Sequence, residues 1–480
     1  MGRASAAILQ GNGDTVAVFA VRPPDAGVRN RMKRNTWVSE QQRDKFTIGQ
    51  ERVLLVGVLI DSGPLWGDPL AELAELARSA GAVVVDRVAQ RRKSYDPATC
   101  IGRGKVEEIR QRVDANAIDA VIFDNDLSPS QIREVEKAVG RKVLDRSELI
   151  LDIFASRART AEARLQVELA QLVYTAPRLR GMWTHLERIA GAGGGTGVGS
   201  VGGIGTRGPG ERQIEIDRRI VDRRVAFLKK KIAEIDSRRQ REVRARGEHF
   251  TVSLVGYTNA GKSTLMNALT GAGARAENLL FATLDTLTRR WTLSGGRHVL
   301  LSDTVGFIRD LPHHLVASFR ATLEEAIHAD LLLHIVDASS PDAADQIAAV
   351  NRVLGELDCG QVPTLIVFNK ADAIRDEAAH LLLAADHPDA VTISATTGAG
   401  LADLAAAVDA VMRASAKRRL LSVPQHNGKA LAFLDRAAEV LDRRYEEDRV
   451  ILDVIIGPHA LEHLHAIAAD VRHADEVTDE

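Results

Sequence analysis

Cysteine is nearly absent: the 480 residues contain two, Cys100 and Cys359, far apart and in no CxxC or Cys/His cluster. That argues against a disulfide scaffold and a structural zinc site, and a reducing, cytoplasmic setting is expected. Aromatic residues make up 4%, too few for an extensive base-stacking platform. No apolar run reaches the ~18 residues of a transmembrane helix, so no membrane span is expected. The N-terminus lacks the basic patch, apolar core and small-residue cleavage site of a secretory leader, and secretion is not expected. Charge of one sign is also missing: 63 Lys+Arg against 65 Asp+Glu leave a net −2. Any nucleic-acid affinity must therefore sit in local patches. What is present is globular, 45% hydrophobic and 27% charged, and too long for one ordinary core.

The expected organisation is a multidomain α/β chain. Residues 1–48 carry Pro23, Pro24 and a small basic group, Arg29, Arg31, Lys33 and Arg34, and read as a flexible extension. From Val53 the pattern changes. Apolar runs at Val53–Ile60, Ala82–Val88, Ala120–Phe123 and Val143–Leu144 alternate with helical spacing at Leu70–Ala80, Val106–Val113 and Pro129–Val139. Such alternation predicts a parallel sheet with crossover helices over 49–155.

A helical hairpin is expected over 156–247. One stretch runs from Arg157 to about Ala190, with Leu165, Leu169, Leu172, Ala176 and Leu179 as its seam and Pro177 predicting a break. The other runs from Glu211 to Glu248, with Ile214, Val221, Val225, Leu228, Ile232 and Ile235 as its seam. Two such helices close in sequence are expected to pair antiparallel. The second is basic, with 13 Lys/Arg against 8 Asp/Glu over 211–248, a composition that suits RNA phosphates or a plain solvated face. Between them the Gly-rich loop 191–210 has too few side chains to build a core.

Residues 248–415 carry the chemistry. The apolar run Phe250–Val255 leads directly into Gly256-Tyr257-Thr258-Asn259-Ala260-Gly261-Lys262-Ser263, and Thr264 then begins a helix. This is G-x-x-x-x-G-K-[ST] in a strand–loop–helix setting, where backbone N–H groups and a helix N-terminus cradle phosphates. Lys262 is expected to reach the β- and γ-phosphates, and the Ser263 hydroxyl to bind Mg²⁺. Val299–Ser302 ends in Asp303-Thr304-Val305-Gly306, where Asp303 can hold Mg²⁺ through water and the Gly306 N–H can meet the γ-phosphate. Leu365–Phe368 ends in Asn369-Lys370-Ala371-Asp372. The Asp372 carboxylate can accept from guanine N1–H and its 2-amino group, donors that adenine lacks. Val391–Ile393 leads into Ser394-Ala395-Thr396, whose backbone can contact guanine O6. In Phe281-Ala282-Thr283-Leu284, Thr283 is the candidate switch threonine, 20 residues past Ser263, able to join Mg²⁺ when the γ-phosphate is present. The ligands expected are therefore GTP and GDP, with Lys262, Thr283 and Gly306 nearest the chemistry. This is the set of a translation-factor-type GTPase. Residues 416–480 read as a small α+β domain, with a helix at Leu431–Leu441, a strand at Val450–Ile456 and a helix at Leu461–Ala469.

Motifs outside the nucleotide site widen the likeness. They include Ile101-Gly102-Arg103-Gly104-Lys105, Leu127-Ser128-Pro129-Ser130-Gln131, Leu149–Ala155, Leu165–Ala170, Gly203–Glu211 and Asp303–Pro312 continuing to Glu325. Over about residues 50 to 415 the chain resembles the HflX family of the Obg–HflX GTPases. The resemblance implies a factor that binds the large ribosomal subunit, splits or rescues stalled ribosomes in its GTP state, and acts as a monomer there. It implies that 49–155 and the hairpin contact ribosomal RNA, with loop 191–210 towards the peptidyl-transferase region. Some family members are linked to antibiotic resistance, and some are reported to use ATP or remodel RNA. Two departures stand out: residues 1–48 lie outside the family core, and the segment before Gly203 lengthens the loop. Two other functions are compatible with the residues, a non-catalytic nucleotide sensor in ribosome assembly and an ATP-driven RNA remodeller working through 49–155.

Where Ras-like enzymes place a water-orienting glutamine after the glycine, this chain has Phe307. Slow unaided hydrolysis and external activation are expected. Asn259 in the phosphate loop suits K⁺ beside the phosphates, or simply a turn. The cation reading predicts faster GTP turnover in KCl than in NaCl at equal ionic strength, and equal rates leave Asn259 only its turn.

Overall fold

In the computed structural model the described residues are 51–60, 68–176, 218–235, 250–271, 280–281, 286–293, 296–309, 326–357 and 359–473. The N-terminal extension, loop 191–210, Ala282, Thr283, Leu284 and most of the Asp303–Glu325 motif beyond Arg309 lie outside them. Ile48–Glu480 forms one compact unit by its contacts.

The first sheet contains β1 (Arg52–Ile60), β2 (Val83–Arg92), β3 (Ala120–Phe123) and β4 (Lys142–Leu144), all parallel, in the order β2-β1-β3-β4. Side chains alternate across a strand, and here both faces are covered. Val53, Leu55, Ala120 and Ile122 pack with α1 (Ala71–Ser79) and α4 (Arg146–Arg157). Leu54, Val56, Val121 and Phe123 pack with α2 (Arg103–Ala115) and α3 (Pro129–Val139). Burial on both sides explains why β1 and β3 read as unbroken apolar runs, whereas the edge strand β2, mostly half-buried, carries Asp86, Arg87, Gln90, Arg91 and Arg92. The motif around Pro129 starts α3: Ser128 and Gln131 form a capping box, Pro129 takes the first turn, and Gly140 ends the helix in the left-handed region.

The long helix expected from Arg157 is corrected. α4 already ends at Arg157, Ala158 is extended, and a new helix, α5 (Ala161–Thr175), starts where the Thr160 hydroxyl accepts from the Ala163 N–H at 3.1 Å. The Thr160 N-cap sets the helix start four residues later than expected, ahead of the seam that begins at Leu165. α5 stops two residues before Pro177, as that proline requires. Of the second hairpin helix, 218–235 is described (α6), and Arg224 donates two bonds to Glu168 of α5, at 2.8 and 2.9 Å.

The second sheet has six strands in the order β10-β9-β8-β5-β7-β6. They are β5 (Thr251–Gly256), β6 (Leu287–Thr292), β7 (His298–Asp303), β8 (Leu331–Asp337), β9 (Thr364–Asn369) and β10 (Val391–Thr392). Only β6 runs antiparallel to its neighbour. Helices α7 (Lys262–Thr270), α8 (Ala343–Glu356) and α9 (Glu377–Asp386) connect its strands, and α10 (Leu401–Ser415) follows β10 and packs on its core through Leu404 and Val408.

The third unit runs β11 (Lys417–Pro424), α11 (Gly428–Ala437), β12 (Glu439–Glu446), β13 (Arg449–Ile456), α12 (Pro458–Ile467) and β14 (Arg472–His473). Its antiparallel sheet has the order β12-β13-β11-β14. The helix expected over Leu431–Leu441 instead gives way at Ala438, which is extended, and the charged run after it is β12, hydrogen-bonded to β13. Ladder pairing outweighs the local helical spacing there.

His334 on β8 is 1% exposed, and its Nδ1 has no hydrogen-bond partner among the described residues. Burial, then the Lys262 and His387 charges, bring its pKa down from 6.5 to about 4. The unfolded chain takes up that proton as pH falls below 6.5, while the native chain does not until about 4, so stability is lost across that window. The loss from pH 6.5 to 5 should be about 2 kcal/mol. In thermal melts at pH 7 and pH 5, His334→Leu should show a correspondingly smaller acid-induced drop in Tm.

Candidate nucleotide site

β5, β7, β8, β9 and β10 are parallel, so their C-terminal ends lie along one edge of the sheet, where α/β folds bind ligands. The phosphate loop and residues 303–306, 369–372 and 394–396 all leave from that edge. The loop after β5 closes only because two positions lack a side chain. A Cβ on Gly256 (φ +146°) would stand 2.2 Å from Ile335 O, and one on Gly261 (φ +96°) 2.2 Å from Asn369 Nδ2. Asn259 is exposed and left-handed (φ +61°), a conformation asparagine tolerates better than most residues. No side chain caps the start of α7, so its N–H groups and dipole face the loop and suit an anion.

Lys262 is buried, and its Nζ donates to Gly256 O at 3.0 Å and Tyr257 O at 2.9 Å. Burial pulls its ammonium down to about 8, with Asp303 acting in the opposite direction. Ser263 Oγ donates to Asp303 Oδ2 at 2.6 Å, which places a hydroxyl and a carboxylate together at the mouth of the loop. This oxygen pair, beside a phosphate cradle, fits a hard cation such as Mg²⁺. The Thr258 hydroxyl in the same loop is buried with no hydrogen-bond partner among the described residues. Thr264 is half-buried in the first turn of α7. Thr304 turns the other way: its hydroxyl donates to Leu254 O at 2.7 Å, so only its backbone is available to a nucleotide. Val305 is likewise buried in the core. Gly306 lies against the loop, where an added Cβ would stand 2.8 Å from Thr258 Cγ2 and 3.0 Å from Lys262 Nζ.

At the other end, Asn369 binds both neighbouring loops. Its Nδ2 donates to Ala260 O at 2.9 Å, and its Oδ1 accepts from the Ala395 N–H at 3.0 Å. Lys370 is left-handed (φ +65°) and its Nζ donates to Asp337 Oδ2 at 2.6 Å. Asp337, at the end of β8, was not singled out from the sequence, although it follows an apolar run as Asp303 does. Asp372 is exposed and one of its oxygens accepts from the Ser394 hydroxyl. Ser394 and Ala395 are buried and Thr396 is exposed. An oriented carboxylate beside a loop of backbone donors is the arrangement a guanine edge requires.

Two further residues carry contacts that sequence reasoning missed. The Tyr257 hydroxyl accepts from the Arg309 N–H at 2.7 Å and donates to Glu72 Oε2 at 2.6 Å, on the first sheet's α1. Phe281 is buried, left-handed (φ +57°), and packs edge-on against Phe154 of α4, ring centroids 4.6 Å apart. No local signal could reveal partners more than 100 residues away in the chain.

Comparison with known proteins decides the family. The chain is 42% identical over 411 residues to GTPase HflX of Lacrimispora saccharolytica, covering 85% of this chain and 94% of that protein. The chain belongs to the HflX family of GTPases. It is accordingly a GTP hydrolase. GTPase HflX of Escherichia coli (strain K12) is 40% identical over 408 residues, 84% of this chain and 93% of that one. Three family models match in succession: "GTP-binding GTPase N-terminal" at 68–155, "GTP-binding GTPase Middle Region" at 157–246 and "50S ribosome-binding GTPase" at 251–370. Among solved structures, a GTP-binding protein from the archaeon Sulfolobus solfataricus in complex with GDP is similar at 23% identity and a TM-score of 0.38, covering 75% of this chain and 98% of that one.

The base end of this HflX-family site gives a direct test. Asp372→Asn loses one acceptor for guanine and gains a donor that suits the 2-oxo group of xanthine. GTP affinity should fall by about two orders of magnitude or more, and xanthosine triphosphate should become the better ligand in a fluorescence competition titration.

Proposed function

We propose that this chain couples GTP hydrolysis to binding and splitting of ribosomes, acting on the large subunit and its RNA. The observation that carries the proposal is the convergence of the phosphate loop, Asp303 and Asp372 on one sheet edge; the loop and Asp303 lie within residues 251–370, matched by a family model described as a 50S ribosome-binding GTPase. Lys262, the loop amides and the Gly306 N–H bind and orient the phosphates and stabilise the charge that develops as water attacks the γ-phosphate in line. Ser263, Thr283 and Asp303, the last through water, would hold Mg²⁺, which supplies charge neutralisation. K⁺ near Asn259 would add to it. Asp372, Asn369, Lys370, Ser394, Ala395 and Thr396 select guanine. Phe307 is 1% exposed and cannot orient water, which supports slow hydrolysis until a partner activates it.

The domains we propose are an extension at 1–48, the α/β domain 49–155, the antiparallel hairpin 156–247 with its loop at 191–210, the GTPase domain 248–415 and the α+β unit 416–480. Exposed cations on α6, among them Arg218, Arg223, Lys229 and Lys230, support RNA contact through phosphates that weakens with salt. Among the described residues no helix is long and apolar enough to cross a membrane.

Sucrose-gradient sedimentation tests the reading. Monosomes incubated with the protein and a non-hydrolysable GTP analogue should lose their peak, with the protein migrating on the large subunit. Unchanged monosomes would remove the splitting function, and an absence of protein in every ribosomal fraction would remove the partner.

A further inference from the structure

Both segments that flank the phosphate loop end on the first α/β domain, and on the same two helices. Downstream of Gly306, the Phe307 N–H donates to Gly256 O at 3.1 Å and its carbonyl accepts from the Thr258 N–H at 2.7 Å. Arg309 is then gripped at both backbone groups. Its N–H donates to the Tyr257 hydroxyl, and its carbonyl accepts from the Arg146 guanidinium at 3.0 Å. Arg146 on α4 is 4% exposed, and it also donates to Glu72 of α1 and, at 2.5 Å, to Asp124. On the other side, the Leu280 N–H donates to the Ser79 hydroxyl of α1 at 3.0 Å, and Phe281 seats on Phe154 of α4.

The spacing links these contacts. Glu72 and Ser79 are seven residues apart on α1, and Arg146 and Phe154 eight apart on α4. Each interval is about two helical turns, so each helix presents both of its residues on one face. One end of α4 meets the segment after Gly306 directly and one end of α1 reaches it through Tyr257, while the other end of each meets the segment before Thr283. α1 and α4 also share one hydrophobic core, which makes them a stiff pair. Desolvation of Arg146 works against its charge but is outweighed by Glu72 and Asp124, so it remains a cation. Burial and the Glu72 charge hold the Tyr257 phenol above its ordinary range, so it remains a donor to Glu72. A buried charge drawn away from its partners has no water to replace them. The contacts therefore favour discrete arrangements over gradual stretching.

We propose that α1 and α4 act as a crossbar joining the two switch segments, with Glu72, Arg146, Ser79 and Phe154 as its positioning residues, so that the segments move together when the γ-phosphate is present. This rests on the functional reading that Gly306 and Thr283 face that phosphate. By linkage, whatever the α/β domain binds changes the preference for GTP over GDP by the same factor.

Hydrogen exchange of the full chain, read by mass spectrometry with saturating GDP or a non-hydrolysable GTP analogue, tests it. In the native chain, exchange in α1, α4 and the peptide holding Leu280 and Phe281 should differ at least fivefold between the two nucleotides. Glu72→Gln, which touches only the Tyr257–Arg309 end, should erase that difference at Leu280 and Phe281. Ser79→Ala, a mild change at the opposite end, should erase it at Phe307–Arg309. Ser147→Ala, on α4 next to Arg146, removes a 2.6 Å bond to Asp126 without touching either segment, and should leave the differences intact. Loss of the difference only next to each substitution, or an equal loss in Ser147→Ala, overturns the crossbar. Binding of the analogue is titrated separately: a native chain that binds GDP and not the analogue overturns the functional reading itself.

Discussion

The amide of Asn369 is the tie on which the nucleotide edge depends. One side-chain group satisfies the carbonyl of Ala260 in the phosphate loop and the amide of Ala395 in the loop after β10. The phosphate cradle and the base-facing loops are thereby fixed to each other through one rigid planar group rather than through two independent packing arrangements. The tie is possible because Gly261 has no Cβ, which would stand 2.2 Å from the same amide nitrogen. Glycine here does more than permit a turn. It lets strand β9 brace the loop after β5 across the intervening β8. A nucleotide that spans phosphate and base sites would then meet a surface whose two ends are already in register, and less ordering is left for binding to supply.

The same economy governs the contact between the α/β domain and the GTPase domain. A buried cluster of one arginine and two carboxylates is a poor source of stability on its own, because desolvation offsets the Coulomb attraction. Here two of the three have further partners: Glu72 accepts from Tyr257, and Arg146 donates to the Arg309 carbonyl. Around the cluster, one continuous core includes Leu73, Leu76, Ile153 and Phe154 together with Tyr257, Phe281, Phe307 and Ile308. The apolar surroundings supply the adhesion, while the charges fix which backbone groups meet. Phe281 shows the balance at one residue. Its left-handed backbone is unfavourable for a bulky side chain, and burial of its ring against Phe154 offsets that cost.

Much of this was legible in the sequence, and the reason is physical. Strands buried on both faces must be apolar throughout, so Val53–Ile60 and Ala120–Phe123 were visible as runs, and a phosphate loop needs small residues at fixed places. Helix limits set by one hydroxyl were harder. Thr160 starts α5 four residues past the expected Arg157, and the apolar seam, which begins only at Leu165, does not mark that start. β12 was hidden because Asp442, Arg443 and Arg444 lie on an exposed strand and leave no alternation of apolar and polar residues. Within the site, residue type announced Lys262, Ser263 and Asp303, but it could not show that the Thr304 hydroxyl is spent on β5. The Ser128–Gln131 motif, quoted for its likeness to a family, proved to be a helix start. The contacts of Tyr257 with Glu72 and of Phe281 with Phe154 join positions far apart in the chain, and one sequence contains no signal for such pairings.

Phe307 ties these strands of reasoning together. A glutamine there would be a movable polar side chain, and hydrolysis would depend on its rotamer. A phenylalanine buried in the core between the domains removes that degree of freedom, and on the proposed reading the groups that meet the phosphates beside Lys262 are backbone: the loop amides, the start of α7 and Gly306. Backbone donors cannot swing individually. They are aligned or misaligned as a segment, according to what fixes the chain on either side. In this protein those fixing points are Tyr257, Arg146 and the Ser79 hydroxyl, two of them outside the GTPase sheet. On the proposed reading, control of catalysis therefore passes from a side chain in the pocket to the position of a neighbouring domain, the part best placed to register contact with something as large as a ribosome.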